Sequence, residues 1–592
     1  MTLEQRLKQA TIDIFKQEFD AEISADTVTI NLTKKEHIGD YTIVVFPLIK
    51  FSKKSPEQTG EILGTKLKEQ SGLVGQFNVI KGFLNLSLTA SYWLNRLNEI
   101  SKSPAYGTFP ANHQKVLLEY CSPNTNKPLH IGHVRNMLLG FSMSEILKAD
   151  GYDVTKVSIY NDRGIAICQS MVAYTRYANG ATPQSTGIKG DHFVGDWYVK
   201  FNQVAQEEML ALINAPADKD EAKKLTPIFQ EAQALLLKWE AGDADTVALW
   251  KQMNSWVYEG FDVTYKVLGV DFQKNYFESK TYTLGKEITD EGLQKNIFYK
   301  RPDGAVAIDL TADGLDEKVL LRSDGTSIYI TQDLGTAQIR YEEFGMEKMI
   351  YVVANEQDYH FKVLKLILQK LGKTWADGIH HLSYALVESP TGRFKSREGK
   401  TADADDLISE VLRIAEEKTK ELGKIEGFTE TEAQALYRTI GLGALKYFVL
   451  RVNPYKKIIF NPEESIDFHG HTGPFIQYTH ARICAIMRKA GEAVSAEWNN
   501  DTALADVERE LIIQLSEYEN TVHTASEKYD PSEVANYVYN LAKTYNKFYH
   551  DFPILNAATE EEKKLRIALS SQTGTIIKKA MRLLGIDVPE KM

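Results

Sequence analysis

Two histidines flank a glycine in His130-Ile131-Gly132-His133, and this tetrapeptide is where the sequence most clearly promises chemistry. It lies between an apolar run, KVLLEY (115–120), and a segment with helical periodicity from about Gly132 to Ala149. At such a junction imidazoles can hydrogen-bond phosphate oxygens, and a helix N-terminus adds unpaired N–H groups and a dipole that favours anions. Gly132 leaves room for a purine or ribose to lie against the backbone. Fixed donors at this place would stabilise the charge that builds during a displacement at phosphorus. Two loop histidines capping a helix would spell the same four letters, so the placement carries more weight than the motif.

That placement depends on the neighbouring elements. Val134, Met137, Leu138 and Phe141 mark the apolar face of the helix, Pro123 and Pro128 break up the loop before it, and Gly151 ends it. DVTKVSIYN (153–161) reads as a second strand. Strand, loop, helix, strand is a βαβ unit, which predicts a parallel sheet with ligands at the carboxyl ends of its strands. Strand signals return in KMIYVVA (348–354) and LSYALVE (382–388), with the helical HFKVLKLILQKLG (360–372) between them.

The rest of the chain divides around this unit. The first 110 residues alternate short helical and strand-like runs and end at a Ser/Pro/Gly stretch, SKSPAYGTFPANH. Beyond Asn461 the pattern is helical, with Leu504, Val507, Leu511, Leu515, Tyr518 and Val522 at heptad-like spacing. Asp530-Pro531-Ser532-Glu533 spells a helix start. The expected fold is α/β and multidomain: an α+β N-terminal domain (1–110), a Rossmann-like parallel-sheet domain (111–465) with insertions around 165–325, and an all-α C-terminal domain (466–592).

At 592 residues the chain exceeds what one core can hold. Three scattered cysteines, Cys121, Cys168 and Cys484, supply neither a disulfide framework nor a zinc site and fit a reducing cytoplasm. The N-terminal MTLEQRLKQATIDIF is amphipathic and lacks the apolar core of a signal sequence, and no run is apolar enough to span a bilayer. The net charge of −11 argues mildly against a nucleic-acid partner, although a local basic track can sit on an acidic body.

The segment EYCSPNTNKPLHIGHVRN resembles the signature region of the arginyl-tRNA synthetases, members of class I. The likeness continues in YITQDLGTAQIRY (329–341), VVANEQDYHF (352–361), FKSREG (394–399), GPFIQYTHARI (473–483) and the closing LLGIDVPEKM (583–592). HIGDYTIVVFPL (37–48) is similar to that family's extra N-terminal domain. The resemblance implies ATP as substrate, with Mg²⁺, and His130, Gly132 and His133 as nucleotide contacts. It also implies an arginine pocket formed by Glu119, Asn124, Tyr329, Asp333 and Gln357. Such a pocket suits the substrate, because a guanidinium is a rigid, permanently charged donor fork that planar carboxylates meet bidentately. Asp333 follows Tyr329 by four residues, which puts both on one face of a helix start.

The second class I element, a K-M-S-K-S loop, is degenerate here. Aligned on it, FKSRE places Ser396 and Arg397 on the serine and second lysine, and Phe394 on the first lysine; a one-residue slip gives the work to Lys395. In the family a lysine ahead of the H-x-G-H compensates, and Lys127 holds that place. The remaining expectations are a monomer binding tRNA(Arg), no membrane partner, anticodon recognition by the C-terminal helices, and elbow contacts from Phe83 and Asn85. Composition does not point to that anticodon role, since residues 466–592 hold 14 Lys and Arg against 18 Asp and Glu. The rival readings are a class I synthetase for another amino acid, a small-molecule nucleotidyltransferase, and a non-catalytic tRNA-binding paralogue.

Overall fold

The computed structural model describes residues 3–34, 36–212, 218–282, 284–388, 403–423, 427–491 and 502–592. At its centre is a five-stranded parallel sheet. In spatial order the strands are Ile379–Tyr384, Lys348–Ala354, Lys115–Glu119, Asp153–Tyr160 and Lys274–Phe277. The chain enters at Lys115–Glu119, winds outward to one edge, then returns to wind outward to the other. The strand order therefore reverses between Lys115–Glu119 and Lys348–Ala354, and a doubly wound sheet opens a crevice at that point. Their burial on both faces matches the near-continuous apolar sequence of parallel strands.

The helix Ile131–Ala149 follows the first strand and is buried along most of its length. Gly140 lets it seat closely on the sheet, because a Cβ there would meet the Tyr120 ring at 2.3 Å. Arg135 and Asn136 are buried beside it and tie it to the ends of the strands. Asn136 Oδ1 accepts from the Cys121 N–H at 2.6 Å, and its amide donates to Val352 O at 2.6 Å and Tyr384 Oη at 3.1 Å. The Arg135 guanidinium donates to the carbonyls of Ala385, Leu386, Pro454 and Lys456 at 2.5–3.3 Å.

Around this core lie an N-terminal antiparallel sheet of four strands with its own helices, and a wholly helical region from Gly473–Ala490 to Glu560–Leu583. The insertion between the second and third strands is mainly helical, and a three-stranded antiparallel sheet follows the third. This is the fold class expected from sequence. One detail differs. The heptad-like run from Leu504 to Val522 forms two helices, Asp506–Ser516 and Tyr518–Lys528, broken at Glu517. Their apolar residues are buried in the domain core instead of forming a coiled-coil seam. Asp530 starts the next helix as expected, accepting the Ser532 N–H at 2.9 Å. No helix among the described residues is long and apolar enough to cross a membrane.

The Tyr120 ring cannot easily yield to a larger residue at Gly140, since its hydroxyl is held by Asp271 O at 2.7 Å. Gly140→Ala should therefore lose about 1–2 kcal/mol, overpacking outweighing the gain in helix propensity. A lower thermal midpoint checks this, and a raised one would refute the close seating.

Candidate active site

A cavity of about 220 Å³ opens at the reversal point of the sheet. Its walls carry three acids, Glu119, Glu278 and Asp333, with Asn161, Gln332 and Gln357 and the hydroxyls of Tyr329 and Tyr351. The helix Tyr329–Phe344 supplies much of one wall. Tyr329, Gln332, Asp333, Thr336 and Arg340 all face the cavity, at helical spacing.

The acids are not equivalent. Glu119 forms an ion pair with Arg340, whose side chain is 1% exposed. The rings of Tyr276 and Tyr351 lie 4.7 and 5.8 Å from that guanidinium. Burial works against the Arg340 charge, but the Glu119 carboxylate and the surrounding tyrosines outweigh it and keep the proton bound more tightly than usual. Asp333 Oδ2 meets His360 Nε2 at 2.7 Å. Burial pushes the Glu278 carboxyl above the ordinary carboxylate range; Arg163 opposes that shift, and the charges of Asp162 and Asp333 add to it. The cavity is thus an acid-rich recess suited to a cation.

The histidine motif occupies the N-terminus of the helix Ile131–Ala149, with His130 as its N-cap. His130 Nδ1 accepts the Gly132 N–H at 3.1 Å, and His133 Nδ1 accepts the His130 N–H at 3.1 Å. The ring centroids are 3.9 Å apart. Gly132 is needed for this fold-back, because a Cβ there would lie 2.9 Å from His130 Cε1. Burial lowers the His130 pKa to about 4 with help from the Lys127 charge. Burial, then the charges of His130 and Lys127, hold the His133 pKa well below the ordinary histidine value. Both rings are therefore neutral at pH 7. An accepting Nδ1 leaves the proton on Nε2, so each ring presents one N–H donor.

Sequence profiles of three families match the chain in order: the arginyl tRNA synthetase N terminal domain over residues 1–88, the catalytic domain of tRNA synthetases class I (R) over 98–461, and the DALR anticodon binding domain over 476–592. The chain belongs to the arginyl-tRNA synthetase family. The arginine–tRNA ligases of Parabacteroides distasonis and Bacteroides thetaiotaomicron are 51% and 50% identical to it, over the full length of both chains in each case. Among solved structures, the arginyl-tRNA synthetase of Thermus thermophilus has the same fold, with a TM-score of 0.80 at 24% identity and full coverage of both chains.

Of the five residues that the family likeness assigns to arginine, Glu119, Tyr329, Asp333 and Gln357 line the cavity. Asn124 does not line it; it is exposed, and its backbone pairs with Asn161, which does. Lys127 is partly exposed next to the histidine motif, and the Lys127–Pro128 turn packs on Gly195, where a Cβ would meet Pro128 Cδ at 2.7 Å. Lys395, Ser396 and Arg397 lie outside the described residues. Phe83 is exposed against Phe46, whereas Asn85 is buried in its sheet, accepting from Thr42 and donating to Asn78.

Sequence reading missed Glu278, Arg340 and His360. The signal for Arg340 was present, since it continues the 329, 333, 336 face of a helix already recognised. Glu278 carried no local signal, because it lies in a region read as insertion.

The raised Glu278 carboxyl has a testable consequence. Only its ionised form meets a guanidinium, so arginine affinity should be full above the raised pKa and fall as pH drops through it. Near that pH, binding should release protons, seen as a buffer-dependent binding enthalpy in calorimetry. An affinity that stays flat as pH falls from neutrality through the ordinary carboxylate range would remove Glu278 from the pocket.

Proposed function

We propose that the chain joins L-arginine to tRNA(Arg) in two steps: the arginine carboxylate attacks the α-phosphorus of ATP and expels pyrophosphate, and a ribose hydroxyl at the tRNA 3′ end then takes the arginyl group. The observation that supports this best is the anionic cavity set beside two neutral imidazole donors at one end of one sheet. A guanidinium fits Asp333 and Glu278, with Glu119 already balanced by Arg340. Its carboxylate end then reaches toward the histidine motif. Phosphate oxygens accept from the two Nε2–H groups and from the helix N-terminus. No side chain has to act as nucleophile, because alignment and charge stabilisation suffice.

Neutral imidazoles donate hydrogen bonds but bring no charge to the departing pyrophosphate. We assign that charge to Lys127, aided by Lys395 or Arg397, with Ser396 as a further phosphate contact. Mg²⁺ would travel with the ATP phosphates and offset their charge. The group Asp191, His192 and Asp405 is the one acid–histidine cluster of suitable size among the described residues, and the Lys189 ammonium already sits in it. The fit is therefore with the nucleotide, not with a protein cage.

In this reading the DALR region recognises the anticodon and the N-terminal domain meets the tRNA elbow, with Phe83 as a contact. The chain's N-terminal, catalytic and C-terminal parts pack on one another, so one protomer holds a whole site and a monomer is sufficient. Free cysteines, two of them buried, agree with a cytoplasmic setting.

Substrate choice tests the pocket. Arginine should be charged at least ~10⁴-fold better than lysine in kcat/KM, because an ammonium leaves buried acceptors unpaired. Asp333→Asn should raise the arginine KM sharply and the ATP KM little; comparable efficiency with lysine would overturn the assignment.

The phosphate side is tested separately. Lys127→Ala should slow adenylate formation by roughly 10²–10³, on the scale of losing one fixed transition-state donor, and leave arginine binding unchanged. Near-normal single-turnover formation would transfer the role to Lys395 or Arg397.

A further inference from the structure

A second polar cluster lies where the insertion meets the histidine motif. Lys189 Nζ donates to Thr264 Oγ1 at 2.6 Å, Asp405 Oδ2 at 2.6 Å and Asp191 Oδ2 at 3.2 Å. Thr264 Oγ1 in turn lies 3.0 Å from Asp405 Oδ1. His192 reaches two acids at once, with Nε2 2.9 Å from Asp405 Oδ2 and Nδ1 3.4 Å from Asp403 Oδ2. These groups come from three elements: the start of the helix Gly190–Leu210, the helix Ala244–Leu268, and the start of the helix Ala404–Glu421.

Asp403 links this cluster to the active site. One carboxylate oxygen caps its own helix, accepting the N–H groups of Asp405 and Asp406 at 2.9 and 3.0 Å, and the other faces His192. Its backbone bridges to His130, and the next residue, Ala404, donates its N–H to Leu129 O at 2.8 Å. The segment Leu129–His130 thus rests on the first turn of the helix Ala404–Glu421, immediately before the imidazole that opens the motif.

Helix capping alone does not account for this arrangement. Asp403 already satisfies the first turn, yet Asp405 is added and buried Asp191 is brought up to it. Like charges this close in a partly dry site repel unless cations lie between them. Lys189 and a doubly protonated His192 meet that need: both reach Asp405 Oδ2, Lys189 also contacts Asp191 and His192 also faces Asp403. We propose that Lys189 and His192 are positioning residues for the ATP half-site: by clamping Asp403 and Asp405 they fix the backbone on which His130 rests and so aim its Nε2–H at phosphate. This rests on the assignment of His130 to the nucleotide.

The clamp is pH-sensitive through His192. Burial disfavours its charged form, but the hydrogen bond to Asp405 and the charges of Asp403 and Asp191 outweigh this, and its pKa is raised. Lys189 is the other cation in the cluster, Asp191, Asp403 and Asp405 are its acids, and Thr264 is its neutral member. Both His192 nitrogens donate only in the imidazolium form, so the clamp is complete below the ordinary histidine range and is lost as pH rises through the raised value.

The test uses the full chain with tRNA(Arg), arginine and ATP, measuring kcat and both KM values against pH. His192→Gln should lower kcat/KM for ATP by about 10- to 100-fold, the scale of a displaced catalytic group, while the arginine KM moves less than twofold. It should also abolish an ionisation above the ordinary histidine range in the wild-type kcat/KM profile for ATP. Lys189→Met leaves buried Asp191 without a counter-charge and risks misfolding, so the double variant K189M/D191N, which removes both charges, is compared with it by thermal unfolding. Parallel losses for ATP and arginine, an unchanged ATP term, or a pH profile identical to wild type in His192→Gln would overturn the proposal. Failure of the underlying assignment looks different: His130→Ala would then leave the ATP parameters of the wild type untouched.

Discussion

At the centre of the molecule a guanidinium sits among carbonyl oxygens. Arg135 is fully buried, donates to four backbone carbonyls, and among the described residues meets no carboxylate. Burial draws its pKa down to about 10, which still leaves it cationic at neutral pH. Its partners lie on two separate stretches, Ala385–Leu386 and Pro454–Lys456, so one side chain gathers the sheet edge and the segment leading to the C-terminal helices onto the motif helix. The next residue, Asn136, does the same for the carboxyl ends of the strands. Breaking such a buried charge network costs several kcal/mol, because each freed carbonyl or N–H is left without water. The placement of His130 and His133 is set by where this helix is held.

Electrostatics then divides the site into two halves. The cavity carries three acids, of which Glu119 is paired with Arg340 and Asp333 meets His360. At the histidine motif the two half-buried rings are neutral, offering direction without charge. The division suits a reaction whose two substrates carry opposite charge, since the acid-lined half disfavours a phosphate. The cost falls on Glu278, whose carboxyl is held against its preference while the cavity is empty.

The sequence revealed a good deal of this because period and punctuation were strong. An apolar run, a proline-bounded loop and an amphipathic helix located the βαβ unit to within a residue or two, and the 329–333 spacing located a cavity wall. Residues whose meaning depends on distant partners were not legible. Lys189 and Asp405 are 216 positions apart, and nothing at either end signals the other. Glu278 sits among insertions with no period to mark it. Of the basic residues near the C-terminus, Lys579 donates to the Pro104 and Tyr106 carbonyls and Arg488 to Glu590 O, so part of that region's positive charge holds the protein's own chain together. The heptad-like spacing marked buried positions, Val507, Leu511, Leu515, Tyr518 and Val522, but periodicity does not show where a helix is broken.

The closing residues have a consequence for the order in which the molecule can form. Ser142, on the motif helix, donates to Leu583 O at 2.9 Å, and the buried Lys446 ammonium donates to Gly585 O at 2.5 Å. Gln477 and His480 bind the carbonyls of Asp587 and Pro589 at 2.8 and 2.9 Å. The first of these contacts spans 441 residues of sequence. Closing loops of that length is entropically slow, and no local contact can substitute for them. During synthesis the motif helix is made early, but these contacts form only once residues 583–589 have emerged. Final packing of the motif helix is therefore coupled to completion of the helical domain, and a chain broken off shortly before Leu583 would keep its histidine motif and lack the contacts that complete its setting.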